Sequence, residues 1–110
     1  MEIKEFAHEV HENAKAHGWW DEGRSFGDLI ALCHSELSEA LEEYRLGHKP
    51  TENYYVGEDN KMTGIPSELA DVIIRVLDMA EHYGIDIEAA LTEKHAYNKT
   101  RPYKHGGKVM

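Results

Sequence analysis

The sequence predicts an all-α fold, a single domain built as a bundle of four helices. Apolar residues recur with a period near 3.6 in four stretches, and each stretch is closed by residues that start or stop helices. The chain has 110 residues, of which 41% are apolar. A chain of this size buries roughly 65% of its unfolded surface, enough for one core and no second. That apolar share excludes a disordered tail.

The first helix is expected over about residues 2–17, with Ile3, Phe6, Ala7, Val10 and Ala14 on one side and Gly18 as its stop. Trp19-Trp20-Asp21-Glu22-Gly23 connects it to the second. Ser25 is the expected N-cap there, with Asp28 at the spacing of a capping box. This helix runs to about Arg45 and ends at Gly47, with Pro50 beyond. The third begins at Pro66 or Ser67 and runs to Tyr83, where Gly84 supplies a C′ stop. The fourth follows Asp86 as cap and reaches about Asn98, and Pro102 blocks its continuation. Residues 46–65 form a long polar loop, a length associated with function or with disorder. Tyr54 and Tyr55 within it suit a lid or an interface equally.

Charge is unevenly spread. Twelve basic residues face 21 acidic ones, a net charge of −9. That sign disfavours a stable complex with duplex nucleic acid. Every acid lies in residues 1–93, whereas Lys94, Lys99, Arg101, Lys104 and Lys108 form a basic tail without one. An acidic body suits cations and a basic tail suits anions, so a metal-bound phosphate would satisfy both. Cys33 is the single cysteine, which excludes an intrachain disulfide and a cysteine-based zinc site. It falls in the apolar stripe of the second helix and reads as a structural thiol. No apolar run approaches 18 residues, so no membrane span is expected. Without a secretory pattern at the start, the expected location is cytoplasmic.

The acids carry the functional signal. On the second helix Glu36, Glu39 and Glu43 share a band along the edge of the apolar stripe Leu29, Ile30, Cys33, Leu37, Ala40, Leu41 and Tyr44. The third helix is apolar around most of its circumference, which predicts burial nearly all round. One polar strip remains, formed by Glu68, Asp71, Arg75, Asp78 and His82. Facing the two bands brings Glu36, Glu39, Glu68 and Asp71 together with little positive charge beside them. Such a group needs bound cations or protons. Oxygen donors suit hard divalent ions, Mg²⁺ first and Mn²⁺ next. Glu42 and Glu81 fall off the bands and read as surface, whereas Glu43 and Asp78 lie on the right faces one or two turns further along and suit either support of the metal ligands or solvation, with solvation favoured. No Glu-x-x-His pair stands at these places and no HExxH occurs, which excludes a di-iron bundle and a zincin.

Glu36-x-x-Glu39, 28 intervening residues and Glu68-x-x-Asp71 resemble the ExxE…ExxD signature of MazG-like nucleotide pyrophosphohydrolases. Glu68-Leu69-Ala70-Asp71-Val72 and the run Lys94-x-x-x-Asn98-x-x-Arg101-Pro102-x-x-His105-Gly106-Gly107-Lys108 add to the likeness, which spans roughly residues 20–108. Ser35 stands where the strict motif has a further glutamate. The resemblance implies a four-helix MazG-like bundle that hydrolyses an NTP or dNTP to the monophosphate and pyrophosphate, for house-cleaning or control of the dNTP pool. It implies that Glu36, Glu39, Glu68 and Asp71 hold Mg²⁺, with Glu39 the favoured proton acceptor. Lys94, Asn98 and Arg101 share one face of the fourth helix and would bind the substrate, Lys94 and Arg101 at its phosphates and against the charge on departing pyrophosphate, which makes Lys94 a catalytic candidate beside Glu39. A helix C-terminus also attracts cations without any ligand. Trp20 matches a base-stacking tryptophan of dCTP-hydrolysing relatives, and His11 is similarly placed for a base pocket. His105 to Lys108 would close over the phosphates or fray. Excess apolar surface on the third helix, with the habit of the family, implies a homodimer or homotetramer. The alternatives are a non-catalytic helical interaction module and a pyrophosphohydrolase of a non-standard nucleotide such as phosphoribosyl-ATP.

Overall fold

The computed structural model describes residues 2–102. Four helices account for most of them: α1 (Ile3–Ala16), α2 (Phe26–Arg45), α3 (Ile65–His82) and α4 (Ile87–Lys99). Between α2 and α3 lies a small antiparallel hairpin of β1 (Tyr54–Val56) and β2 (Lys61–Thr63). The architecture is therefore helical, with a two-stranded addition that the all-α expectation lacked. No helix among the described residues is long and apolar enough to cross a membrane.

The helix boundaries follow local chemistry. Ser25 caps α2 by accepting from the Asp28 backbone N–H at 3.0 Å, and the Asp28 carboxylate accepts from the Ser25 N–H at 3.2 Å. These reciprocal bonds satisfy two amides that α2 itself cannot. Asp86 caps α4 through the Ala89 N–H at 3.0 Å. Gly18, Gly47 and Gly84 follow the ends of α1, α2 and α3 with positive φ, where glycine carries no Cβ penalty.

α3 is the central element. It packs against α1 and α2 and touches α4 and β2. Its Ile65, Leu77, Met79 and Ala80 join Ala7 of α1 and Leu29 and Ala40 of α2 in the core. A large apolar side chain in such a core stabilises by about 1.5–3 kcal/mol. α4 buries no residue, although the Lys4 backbone N–H of α1 bonds Glu88 at 3.1 Å. The expectation of a third helix buried all round does not hold within one chain. Leu69, Ile73 and Ile74 are 45%, 57% and 38% exposed. Three small neighbours cannot cover a helix that is apolar on most sides.

The hairpin resolves the region 46–65 into ordered chain. Tyr54 pairs with Thr63 and Val56 with Lys61 across it. A four-residue loop closes the tip, where Gly57 and Asn60 have positive φ. Tyr54 donates from its hydroxyl to both oxygens of Glu43 at 3.0 and 2.9 Å. His48 stacks on the Tyr54 ring with centroids 4.8 Å apart and donates to Glu52 at 2.8 Å. Glu43 is thus a hairpin anchor rather than a solvated group. At the other end, Ser67 donates to the Met62 carbonyl at 3.2 Å. Gly64 is buried there with φ 122°, and a Cβ at that point would collide with the Glu52 carbonyl oxygen. Gly64→Ala should therefore cost at least ~2 kcal/mol in urea unfolding, through both backbone strain and the clash. Gly47→Ala, whose added Cβ meets nothing within 4 Å, should cost less.

Candidate functional site

Three of the four proposed acids converge. Glu36 and Glu39 on α2 and Glu68 on α3 each offer a carboxylate oxygen, and these atoms all lie within 4.8 Å of one another. Glu36 is buried, Glu68 half-buried and Glu39 exposed, so the group opens to solvent on the Glu39 side. Asp71 is not in this group. It is exposed, one turn further along α3, and lines an adjoining cavity.

Positive charge is also closer than the sequence suggested. Arg75 on α3 donates to one oxygen of Glu36 from Nε at 3.0 Å and from Nη2 at 2.9 Å. Its guanidinium lies over the Trp19 ring, 4.6 Å from the centroid, and Arg24 lies 4.1 Å from the same ring. Stacking of this kind holds a guanidinium in place without neutralising it.

The carboxyls respond differently to this setting. Burial raises the pKa of Glu36, yet the Arg75 hydrogen bond, aided by bonds with Glu39 and Glu68, leaves it below the usual range. Burial and hydrogen bonding to Glu36 and Glu39 push Glu68 up to about 7. Asp71, although exposed, is raised by partial desolvation on the cavity wall and by the Glu36 charge, against a downward pull from Arg75 and Lys61. At neutral pH Glu68 therefore shares a proton with its neighbours. Its second oxygen, Oε2, is buried and has no hydrogen-bond partner among the described residues. Oxygen donors at this spacing, with one acceptor unused, fit a hard divalent cation.

The remaining site candidates fall elsewhere. Lys94 and Asn98 lie on α4, whereas Arg101 follows its C-cap Thr100 and is not part of the helix; Lys94 and Arg101 both lie near the Tyr97 ring, at 5.4 and 5.9 Å. That helix packs on α1 and α3 and makes no contact with α2 among the described residues. His105, Gly106, Gly107 and Lys108 lie outside the described residues. Burial raises the Cys33 thiol above its ordinary value, so this half-buried side chain stays protonated.

His11 and Trp20 are engaged with protein groups. His11 is 8% exposed and donates from Nδ1 to Asp78 Oδ1 at 2.6 Å, and Trp20 Nε1 donates to the same oxygen at 3.0 Å. The Trp20 ring stacks on His82 with centroids 3.7 Å apart and planes 5° from parallel. Asp78 is buried, not solvated as expected, because it accepts from two elements at once. Neither His11 nor Trp20 lines the cavity of about 750 Å³ between α1, the 18–24 connection and α3. Trp19 does, together with Asn13, His17, Arg24, Asp71 and Arg75. Glu42 and Glu81 remain peripheral, in contact with Arg45 at 3.6 Å and His8 at 3.4 Å.

Two outcomes follow from this geometry. Asp78→Ala should lower stability by about 2–4 kcal/mol, since both the His11 and Trp20 donors lose their acceptor; chemical denaturation measures it. Metal-free stability should fall as pH rises from about 4.5 through 7, because the raised Glu68 binds its proton in the folded state after the unfolded chain has released it. Glu68→Gln should flatten that slope, as thermal melts across the range will register. Comparison of the chain with protein-family models, curated proteins and solved structures finds no match.

Proposed function

We propose that the chain is a Mg²⁺-dependent nucleotide pyrophosphohydrolase that converts a (d)NTP and water to the monophosphate and pyrophosphate. The observation that carries this reading is the convergence of Glu36, Glu39 and Glu68 from two helices onto one point. Those three residues would hold the cation, with Mn²⁺ as a substitute. A bound divalent ion would neutralise the triphosphate and lower the pKa of a water toward neutrality. Glu39, the exposed member, is the residue with access to take a proton from that water. Asp71, on the cavity wall, stands to orient the phosphates or their hydration rather than to complete the first set of donors.

Lys94, Asn98 and Arg101 enter this scheme as groups donated by a second copy. Exposed Leu37 and Leu41 on α2, with Leu69 and Ile73 on α3, are the apolar surface we assign to that homo-oligomeric contact. One observation favours the second reading, a non-catalytic helical module. Arg75 already pairs with Glu36 and Glu68 retains a proton, so the acids are tolerable without a metal.

Metal separates the two readings. For the enzyme, Mg²⁺ at about 100 times its Kd should stabilise the fold by about 2.7 kcal/mol, visible as a rise in Tm. A panel of common NTPs and dNTPs should release pyrophosphate from at least one. Glu39→Gln and Glu68→Gln should each reduce turnover at least ~100-fold and Asp71→Asn roughly 10-fold, measured as pyrophosphate release. An unchanged Tm and no product from any common or modified nucleotide, phosphoribosyl-ATP included, would leave the module.

A further inference from the structure

Arg75 stands at the boundary between two features. On one side it holds Glu36 at 2.9 and 3.0 Å, and on the other it lines the cavity of about 750 Å³. Its guanidinium therefore occupies the charge-compensating role that a cation at Glu36, Glu39 and Glu68 would take over. A cation at the cluster takes over part of the charge compensation that Arg75 supplies to Glu36, and so weakens the electrostatic hold on the Arg75–Glu36 pair.

The cavity offers Arg75 somewhere else to go. Arg24 lines the same wall and lies against the same Trp19 ring. Its Nε is buried and has no hydrogen-bond partner among the described residues. An oxyanion beside Trp19 would be met by two guanidiniums, one of them with an unused donor, which is the fork geometry that phosphate accepts. Glu9, Glu22, Asp71 and Asp78 also line the cavity, so an anion binds there only where the two guanidiniums outweigh them. The ligand fitted to this lining joins its phosphate to hydrogen-bond donors that these carboxylates can accept.

We propose that Arg75 is a movable internal counter-cation: it neutralises Glu36 when the carboxylate cluster holds no metal, and turns to the phosphate of a ligand in the adjoining cavity when it does. This rests on the cluster being the cation site proposed above. Each ligand then removes the obstacle to the other, so a phosphate-bearing ligand and a divalent cation bind with positive coupling. Arg75 acts here as a positioning residue, and Trp19 is the surface on which its guanidinium is held.

Calorimetric titration of the full chain with Mg²⁺, with and without inorganic phosphate at fixed free Mg²⁺, tests the assignment. In wild-type protein, phosphate should tighten Mg²⁺ binding roughly 5-fold or more. Arg75→Gln should bind Mg²⁺ roughly 5–20-fold more tightly than wild type in the absence of phosphate, and should no longer respond to phosphate. Arg75→Lys, which keeps the charge, should retain the weaker wild-type affinity; tight binding by this variant would overturn the charge-based account. Equal Mg²⁺ affinity in wild type and Arg75→Gln, or an equal response to phosphate, overturns the switch while leaving the metal site intact. Absence of Mg²⁺ binding in every protein overturns both. Circular dichroism of each variant establishes that the helices are retained.

Discussion

A buried carboxylate governs the centre of this molecule. Glu36 is 8% exposed at the contact between α2 and α3, where an unpaired charge would cost several kcal/mol. The chain meets that constraint from the opposite helix, with Arg75 on one oxygen and the proton retained by Glu68 nearby. The relative placement of α2 and α3 is thereby tied to charge as well as to apolar packing. Trp19, stacked on Arg75, extends the same constraint to the connection between α1 and α2.

The polar strip of α3 divides into parts with separate work. Glu68 faces the acids of α2, Arg75 reaches across to Glu36, and Asp71 lines the cavity. Asp78 and His82, a turn or more further on, engage α1 and Trp20 instead. One Asp78 oxygen accepts from both His11 and Trp20, so a single side chain links three segments of the bundle. A strip that reads as one acidic face is in practice two adjacent polar networks separated by Arg75.

Much of the helical framework was legible because its signals are local. Apolar spacing, the Ser25–Asp28 capping box, the Asp86 cap and the stop glycines all act within a few residues of where they are written. The hairpin was not legible, since each strand has three residues and shows no alternation long enough to register. Its anchor is Glu43, a residue eleven positions before Tyr54 that the helix wheel placed in the acidic band with no sign of a tyrosine partner. The helix wheel anticipated the meeting of Glu36, Glu39 and Glu68 but carries no information on how the two helices cross, and Asp71 falls on the cavity wall. The His11–Asp78 bond joins residues 67 positions apart and carries no spacing signal at all.

The hairpin is fastened at its base, by Tyr54 on Glu43 at one end and Ser67 on Met62 at the other, while Gly57 to Asn60 at the tip are exposed. Its outer turn therefore bears no weight for the bundle beneath it. Foreign peptide spliced between Glu58 and Asp59 would emerge from two fixed anchor points, away from the helix contacts. That makes this turn the natural place on the molecule for an epitope or a reporter label, with the acidic cluster left undisturbed.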